Sequence, residues 1–132
     1  GMTKHMTLPQ TGTLAEAAEG DALERDLRIF SMTVDTSDIW PLVRRLLPDQ
    51  GAIEVQRDVP GKEHPWHTHE TDETLVILEG AVRFYWDGGT TVCGRGTVIS
   101  LPAGTLHGSV AMEVGATYLI AFHNANVTHH HG

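Results

Sequence analysis

Residues Gly61–Gly80 read GKEHPWHTHETDETLVILEG, and the rest of the chain is organised around them. His67 and His69 stand two apart, Glu73 follows four further on, and the apolar run Leu75–Leu78 closes on Glu79-Gly80. Side chains at i and i+2 of a β-strand share a face, so both imidazoles are expected to point into one volume. Two imidazoles and a carboxylate converging on one point make the start of a transition-metal site. A fourth candidate is His107, just past the turn Pro102-Ala103-Gly104. It would arrive from a later strand, as a ligand set must if it is to surround an ion. Three imidazoles and one carboxylate suit Fe, Ni, Mn, Cu or Zn and leave positions open for water, oxygen or substrate.

The remaining composition narrows the possibilities. A chain of 132 residues, 40% hydrophobic and 20% charged, is sized for one domain with one core. Its formal net charge of −8, with only the isolated pair Arg44-Arg45 for a basic cluster, argues against nucleic acid or an anionic membrane as partner. The single cysteine, Cys93, rules out an internal disulfide and is compatible with a reducing compartment. No apolar run reaches the ~18 residues of a spanning helix. No signal peptide is read at the N-terminus either, so a cytoplasmic location is expected.

Along the chain, residues 1–12 read as a loose arm, with Gly1 ahead of Met2 as a cloning scar. Residues 13–50 read as an extension that packs on the main domain or on a dimer partner. Thr13-Leu14-Ala15-Glu16 fits a capping box that opens a short helix ending near Gly20. Leu27–Val34 is β-branched and aromatic enough for a strand. Thr36–Pro48 carries helix-start signals, with Leu42, Val43, Leu46 and Leu47 on one side. From residue 51 to 124 short strands alternate with Gly/Pro turns, the first being a half-buried strand, Ala52–Val59. That rhythm predicts an all-β sandwich or barrel. Residues 125–132, with His129-His130-His131, read as a tail.

The two histidine segments together resemble the cupin family. Its first motif, G-x5-H-x-H-x3/4-E-x6-G, is met by Gly61, His67, His69, Glu73 and Gly80 without a gap. Its second, G-x5-P-x-G-x2-H-x3-N, is met by Gly96, Pro102, Gly104 and His107, but Ala111 stands where the asparagine belongs. The spacing, Ala81 to Arg95, is similar to that of small microbial cupins. The resemblance implies a jelly-roll barrel (a double-stranded β-helix) carrying a short N-terminal extension with one or two helices. It implies one divalent metal held inside by His67, His69, Glu73 and His107. DETLVILEGAVRFYW with GTVISLPAGTLHG resembles small proteins similar to quercetin dioxygenase, which implies attack of dioxygen on an enol- or phenol-type substrate. In that chemistry Glu73 could leave the metal and act as the base.

Two other functions are compatible with the same residues: a metal-dependent isomerase or lyase acting on a sugar or small acid, and a sensing module without turnover. A homodimer is expected; Phe30, Met32, Ile39 and Trp40 need a surface to cover, and the outer sheet face or a symmetry mate would serve. His64 reads as a surface histidine in the loop EHPWH, Glu70 and Asp72 as solvated loop carboxylates, and Cys93 as buried and inert. Which of the pairs Arg83/Tyr85 and Phe84/Trp86 faces inward depends on strand register, since a one-residue slip exchanges them.

Overall fold

The computed structural model describes residues 10–11 and 26–123. The helix expected after Thr13 and the histidine tail lie outside the described residues. Eight strands and one helix make up the described chain: β1 (Gln10–Thr11), β2 (Arg28–Ser31), α1 (Trp40–Leu46), β3 (Gly51–Asp58) and β4 (Glu63–His67) come first. The long β5 (Asp72–Trp86) follows, then β6 (Gly89–Gly94), β7 (Thr97–Leu101) and the still longer β8 (His107–His123). The fold is the expected all-β barrel.

Strands β5 and β8 pair antiparallel along their length, from Asp72 opposite His123 to Trp86 opposite His107. The register shifts between Ile77 and Glu79 and again between Gly80 and Val82, so both strands bend there. The two halves of the pair seed two half-sheets. The first runs β1-β2-β7-β5-β8-β3; in the second, β6 joins β5 and β4 joins β8. Residues from both halves line one cavity between them.

Alternation along the strands sorts the core into two layers. Ile29, Ile77, Ile99, Tyr118 and Ile120 point into the barrel with Val82, Phe84 and Cys93. Their neighbours Phe30, Val76, Val98 and Leu119 point the other way, where Leu42 and Leu46 of α1 cover them. Pro41 stands in the first turn of that helix, where its missing N–H costs no hydrogen bond, and Pro48 follows the extended Leu47. Leu42 and Leu46, four apart, bury one stripe worth roughly 2 kcal/mol per side chain. Leu47, expected on that stripe, is about half exposed because the helix has ended. Met32 and Ile39 also pack on this layer, whereas Trp40 stays largely exposed.

Strand β3 departs from expectation in its orientation. Its apolar residue Val55 is exposed, while Glu54 and Gln56 line the cavity and Asp58 is buried. Polar partners waiting on β4 and β8 outweigh the hydrophobic pattern of the strand. Ala111, where the family motif has asparagine, is a buried strand residue. Its N–H donates to the Lys62 carbonyl and its own carbonyl accepts from Gly61 N–H, both at 2.9 Å.

Glycine is required at the bend and only convenient at the start of the motif. Gly80 has φ 71° and its Cα faces the Gly115 carbonyl, so an added Cβ would overlap that oxygen. Gly61 has φ 82° with nothing within 4 Å of an added Cβ. Gly61→Ala should cost about 1 kcal/mol, the left-handed backbone penalty alone. Gly80→Ala should cost about 3 kcal/mol or more, because strain and overlap add. Urea denaturation of the two variants, comparing midpoints, checks the difference.

Candidate metal centre

Three imidazoles meet where β4 ends and β8 begins. His67 is the last residue of β4 and pairs with His107, the first of β8, which also pairs with Trp86 of β5. His69 lies in the loop two residues beyond β4, not on the strand itself. Its backbone carbonyl accepts the Gly104 N–H at 2.9 Å, while Asp72 Oδ1 accepts the Ala103 N–H at 2.8 Å. These two bonds tie the turn before His107 to the segment that carries His69. Asp72 is therefore a clamp rather than the solvated carboxylate expected. Phe84 stacks on the His107 ring at 5.6 Å between centroids, which resolves the register question: Phe84 faces the cavity. Tyr85 faces away and donates to Glu63 at 2.6 Å, with Trp66 edge-on at 4.7 Å between ring centres.

One nitrogen from each of His67, His69 and His107 lies within 4.8 Å of the other two, close enough to share a cation. His67 Nδ1 is 2.5 Å from the Pro65 carbonyl and His107 Nδ1 is 2.8 Å from the Thr105 carbonyl. A carbonyl only accepts, so each Nδ1 carries the hydrogen and each Nε2 presents a lone pair. His67 Nε2 and His69 Nε2 are 3.1 Å apart, a spacing that needs a proton or a cation between them. Burial, then the neighbouring His67, lowers the pKa of His69. Burial drives His107 down to about 4, with the charges of His67 and His69 adding and the Thr105 carbonyl opposing. Neutral imidazole nitrogens suit a divalent transition metal and not calcium or magnesium.

Glu73 is buried and lines the same cavity, but it stands behind His69, with Oε2 3.4 Å from Nδ1. The far nitrogens of His67 and His107 thus meet backbone carbonyl acceptors, while that of His69 faces the Glu73 carboxyl across an ion-pair distance. That arrangement orients metal-ligating histidines and raises their basicity. Burial, with a smaller push from Glu54, raises the Glu73 carboxyl to about 7, so it exchanges a proton near neutrality.

The cavity holds about 240 Å³. One wall is apolar, built from Ile77, Val82, Ile99, Leu101, Ile120 and Phe122. The other is polar and includes Glu54, Gln56, His64, Ser109 and Tyr118. His64 corrects an expectation: EHPWH is strand β4, not a loop, and His64 is one-third exposed beside a carboxylate rather than a surface residue. Its Nε2 lies 3.0 Å from Asp58 Oδ2, which also accepts the Tyr118 hydroxyl at 2.7 Å. Sequence reasoning missed this group; Gln56 and Asp58 two apart on one strand face were the only available signal. Cys93 is buried as expected, and burial pushes its thiol up to about 12.

Burial alone would raise the Asp58 carboxyl, but hydrogen bonds from Tyr118, His64 and Gln56 outweigh it and hold the pKa below the usual 3.8. A depressed carboxylate stabilises the fold above its unfolded pKa, and the contribution disappears as pH falls through the folded value. Asp58→Asn should therefore lose about 1.5–3 kcal/mol at neutral pH, with the gap closing below about pH 4. Thermal unfolding of both proteins across pH 3 to 7 reads it.

The comparisons agree with this geometry. The cupin domain family model matches residues 54–123. Acireductone dioxygenase of Parvibaculum lavamentivorans is 36% identical over a segment covering 49% of this chain and 44% of that protein. The chain thus covers less than half of that relative. A structural-genomics protein of unknown function from Rhizobium leguminosarum superposes with a TM-score of 0.53 at 22% identity, covering 88% of this chain and 97% of that one. A DMSP lyase from Ruegeria pomeroyi superposes with a TM-score of 0.52 at 26% identity, covering 57% of this chain and 39% of that one. With a family match over more than half its length and a cupin barrel for a fold, the chain belongs to the cupin domain family.

Proposed function

We propose that this cupin is a metal-dependent small-molecule oxygenase, with His67, His69 and His107 as ligands and Glu73 as a fourth ligand or as the carboxylate that orients His69. The cluster of three imidazoles on the wall of a small barrel cavity carries the proposal. The similarity to an acireductone dioxygenase supports the substrate class, a carbonyl conjugated to an enediol or a diketone. A bound divalent metal supplies Lewis acidity and, if redox-active, electron exchange with dioxygen. The residues supply the rest. Ile99, Leu101 and Phe122 keep bulk water off the site and seat an apolar body, while Ser109 offers a hydrogen bond to a polar end. Glu73, titrating near neutrality, holds or returns a proton beside His69. The volume lies below the roughly 300–1,000 Å³ usual for drug-sized ligands and favours acyclic substrates over polycyclic flavonols.

A second reading, a metal-dependent lyase or isomerase on a small acid, draws support from the likeness to the DMSP lyase. Metal content separates the two, measured on protein freed of His129–His131 so that the tail does not contribute. Iron, nickel, manganese or copper with oxygen uptake on an enediol or diketone is the expected result. Zinc as the native metal, with no uptake by iron- or nickel-loaded protein across the substrate panel, would overturn the oxygenase in favour of the second reading.

The ligand assignment has its own test. His69→Ala combined with His107→Ala should abolish stoichiometric metal, whereas Glu73→Gln should weaken affinity about 10–100-fold while retaining the ion. Full metal retention in the double variant would remove these residues from the centre.

A further inference from the structure

Besides the imidazole cluster, the barrel holds a second polar group, assembled from three strands, whose Gln56, His64 and Tyr118 line the cavity. Asp58 and Gln56 come from β3, His64 from β4 and Tyr118 from β8. Asp58 is 6% exposed, and a carboxylate that deep in a barrel requires donors. Tyr118 donates its hydroxyl to Oδ2 at 2.7 Å, and Gln56 Nε2 donates to the Tyr118 oxygen at 2.9 Å and to Oδ1 at 3.3 Å. His64 Nε2 stands 3.0 Å from Oδ2. An ionised carboxylate only accepts, so His64 Nε2 carries the hydrogen and Nδ1 holds the lone pair. The 3.4 Å approach of Gln56 Nε2 to His64 Nε2 is then packing, because both atoms are donors.

This arrangement pairs an oriented imidazole with a buried carboxylate, on a residue that lines the substrate cavity. Such pairing fixes the tautomer and stabilises the imidazolium that forms when the free nitrogen takes a proton. The other titratable groups buried around the cavity are otherwise engaged. His67, His69 and His107 form the centre, and Glu73 stands against His69. Burial and the Asp58 carboxylate hold the Tyr118 phenol protonated. Glu54, also on β3, is solvent-exposed. Among the described residues, His64 combines a place on the wall, an orientation set by Asp58 and an Nδ1 that no hydrogen bond occupies.

We propose that His64, held by Asp58, is the proton acceptor for acidic substrates bound in this cavity, distinct from Glu73. The inference rests on the reading of the cavity as a site for enols and diketones. For a 1,3-diketone the C–H bond between the carbonyls breaks and its electron pair stays on the substrate as the enolate. The proton passes to His64 Nδ1, and no oxidant or reductant takes part.

Anaerobic binding of pentane-2,4-dione to the nickel-loaded full chain tests this without turnover. Enolate absorbance reports binding, and calorimetry in buffers of different ionisation enthalpy counts the protons released. His64→Gln keeps a donor toward Asp58 but takes up no proton; His64→Asn serves as a second variant. Both should hold nickel in wild-type stoichiometry. Wild type should release close to none, and the variants about one proton per diketone bound. Equal release from wild type and variants overturns the assignment of His64, while the cavity stands as an enol site. Loss of nickel in both variants also overturns it, by placing His64 in the metal centre. A nickel-loaded wild type that shows no enolate band overturns the enol-site reading, and this proposal with it.

Discussion

Everything in this molecule depends on one pairing, that of β5 with β8. The two strands run together from Asp72 opposite His123 to Trp86 opposite His107, and they can do so around a closed shape only by bending. The bend falls where Gly80 and Gly115 approach backbone to backbone, each at positive φ. With that crossing made, the first half of the pair recruits β7 and β3 and the second recruits β6 and β4. His107 then stands at the end of the second half, opposite His67. The metal candidates are thus brought together by strand register, and the loops carry only His69.

The barrel interior is divided between two demands. Its apolar side chains drive closure, yet Asp58, Glu73 and His107 are buried among them. Each is tolerated by a different device. Hydrogen bonds keep Asp58 ionised against the cost of burial, Glu73 shifts toward the neutral acid, and His107 is held neutral with its Nδ1–H on a backbone carbonyl. Polar residues at these depths are costly for a small domain, and the cost is a reason to look for chemistry where they cluster.

Much of this was legible in the sequence, and the boundary of legibility has a physical reason. His67, His69 and His107 could be found because glycine turns and short strands fix their spacing locally. The helix over Leu42 and Leu46 was legible because Pro41 and Pro48 bracket an apolar stripe. What stayed hidden depends on contacts distant in sequence. The inward face of β3 is polar because Asp58 meets Tyr118 and His64, and no period within β3 reports that. Phe84 rather than Tyr85 faces the cavity because of bulges near Gly80, which shift register in a way that alternation does not reveal. The position of Glu73 behind His69 is not something its spacing in the sequence reports.

Cys93, on β6 opposite Val82, has no exposed surface, and burial suppresses its thiolate. The one thiol of the chain is kept in the form that oxidants and alkylating reagents attack least. Its labelling therefore has to wait for β6 to separate from β5. The rate of alkylation becomes a clock for the opening of that half of the barrel, read at a native residue rather than an engineered one.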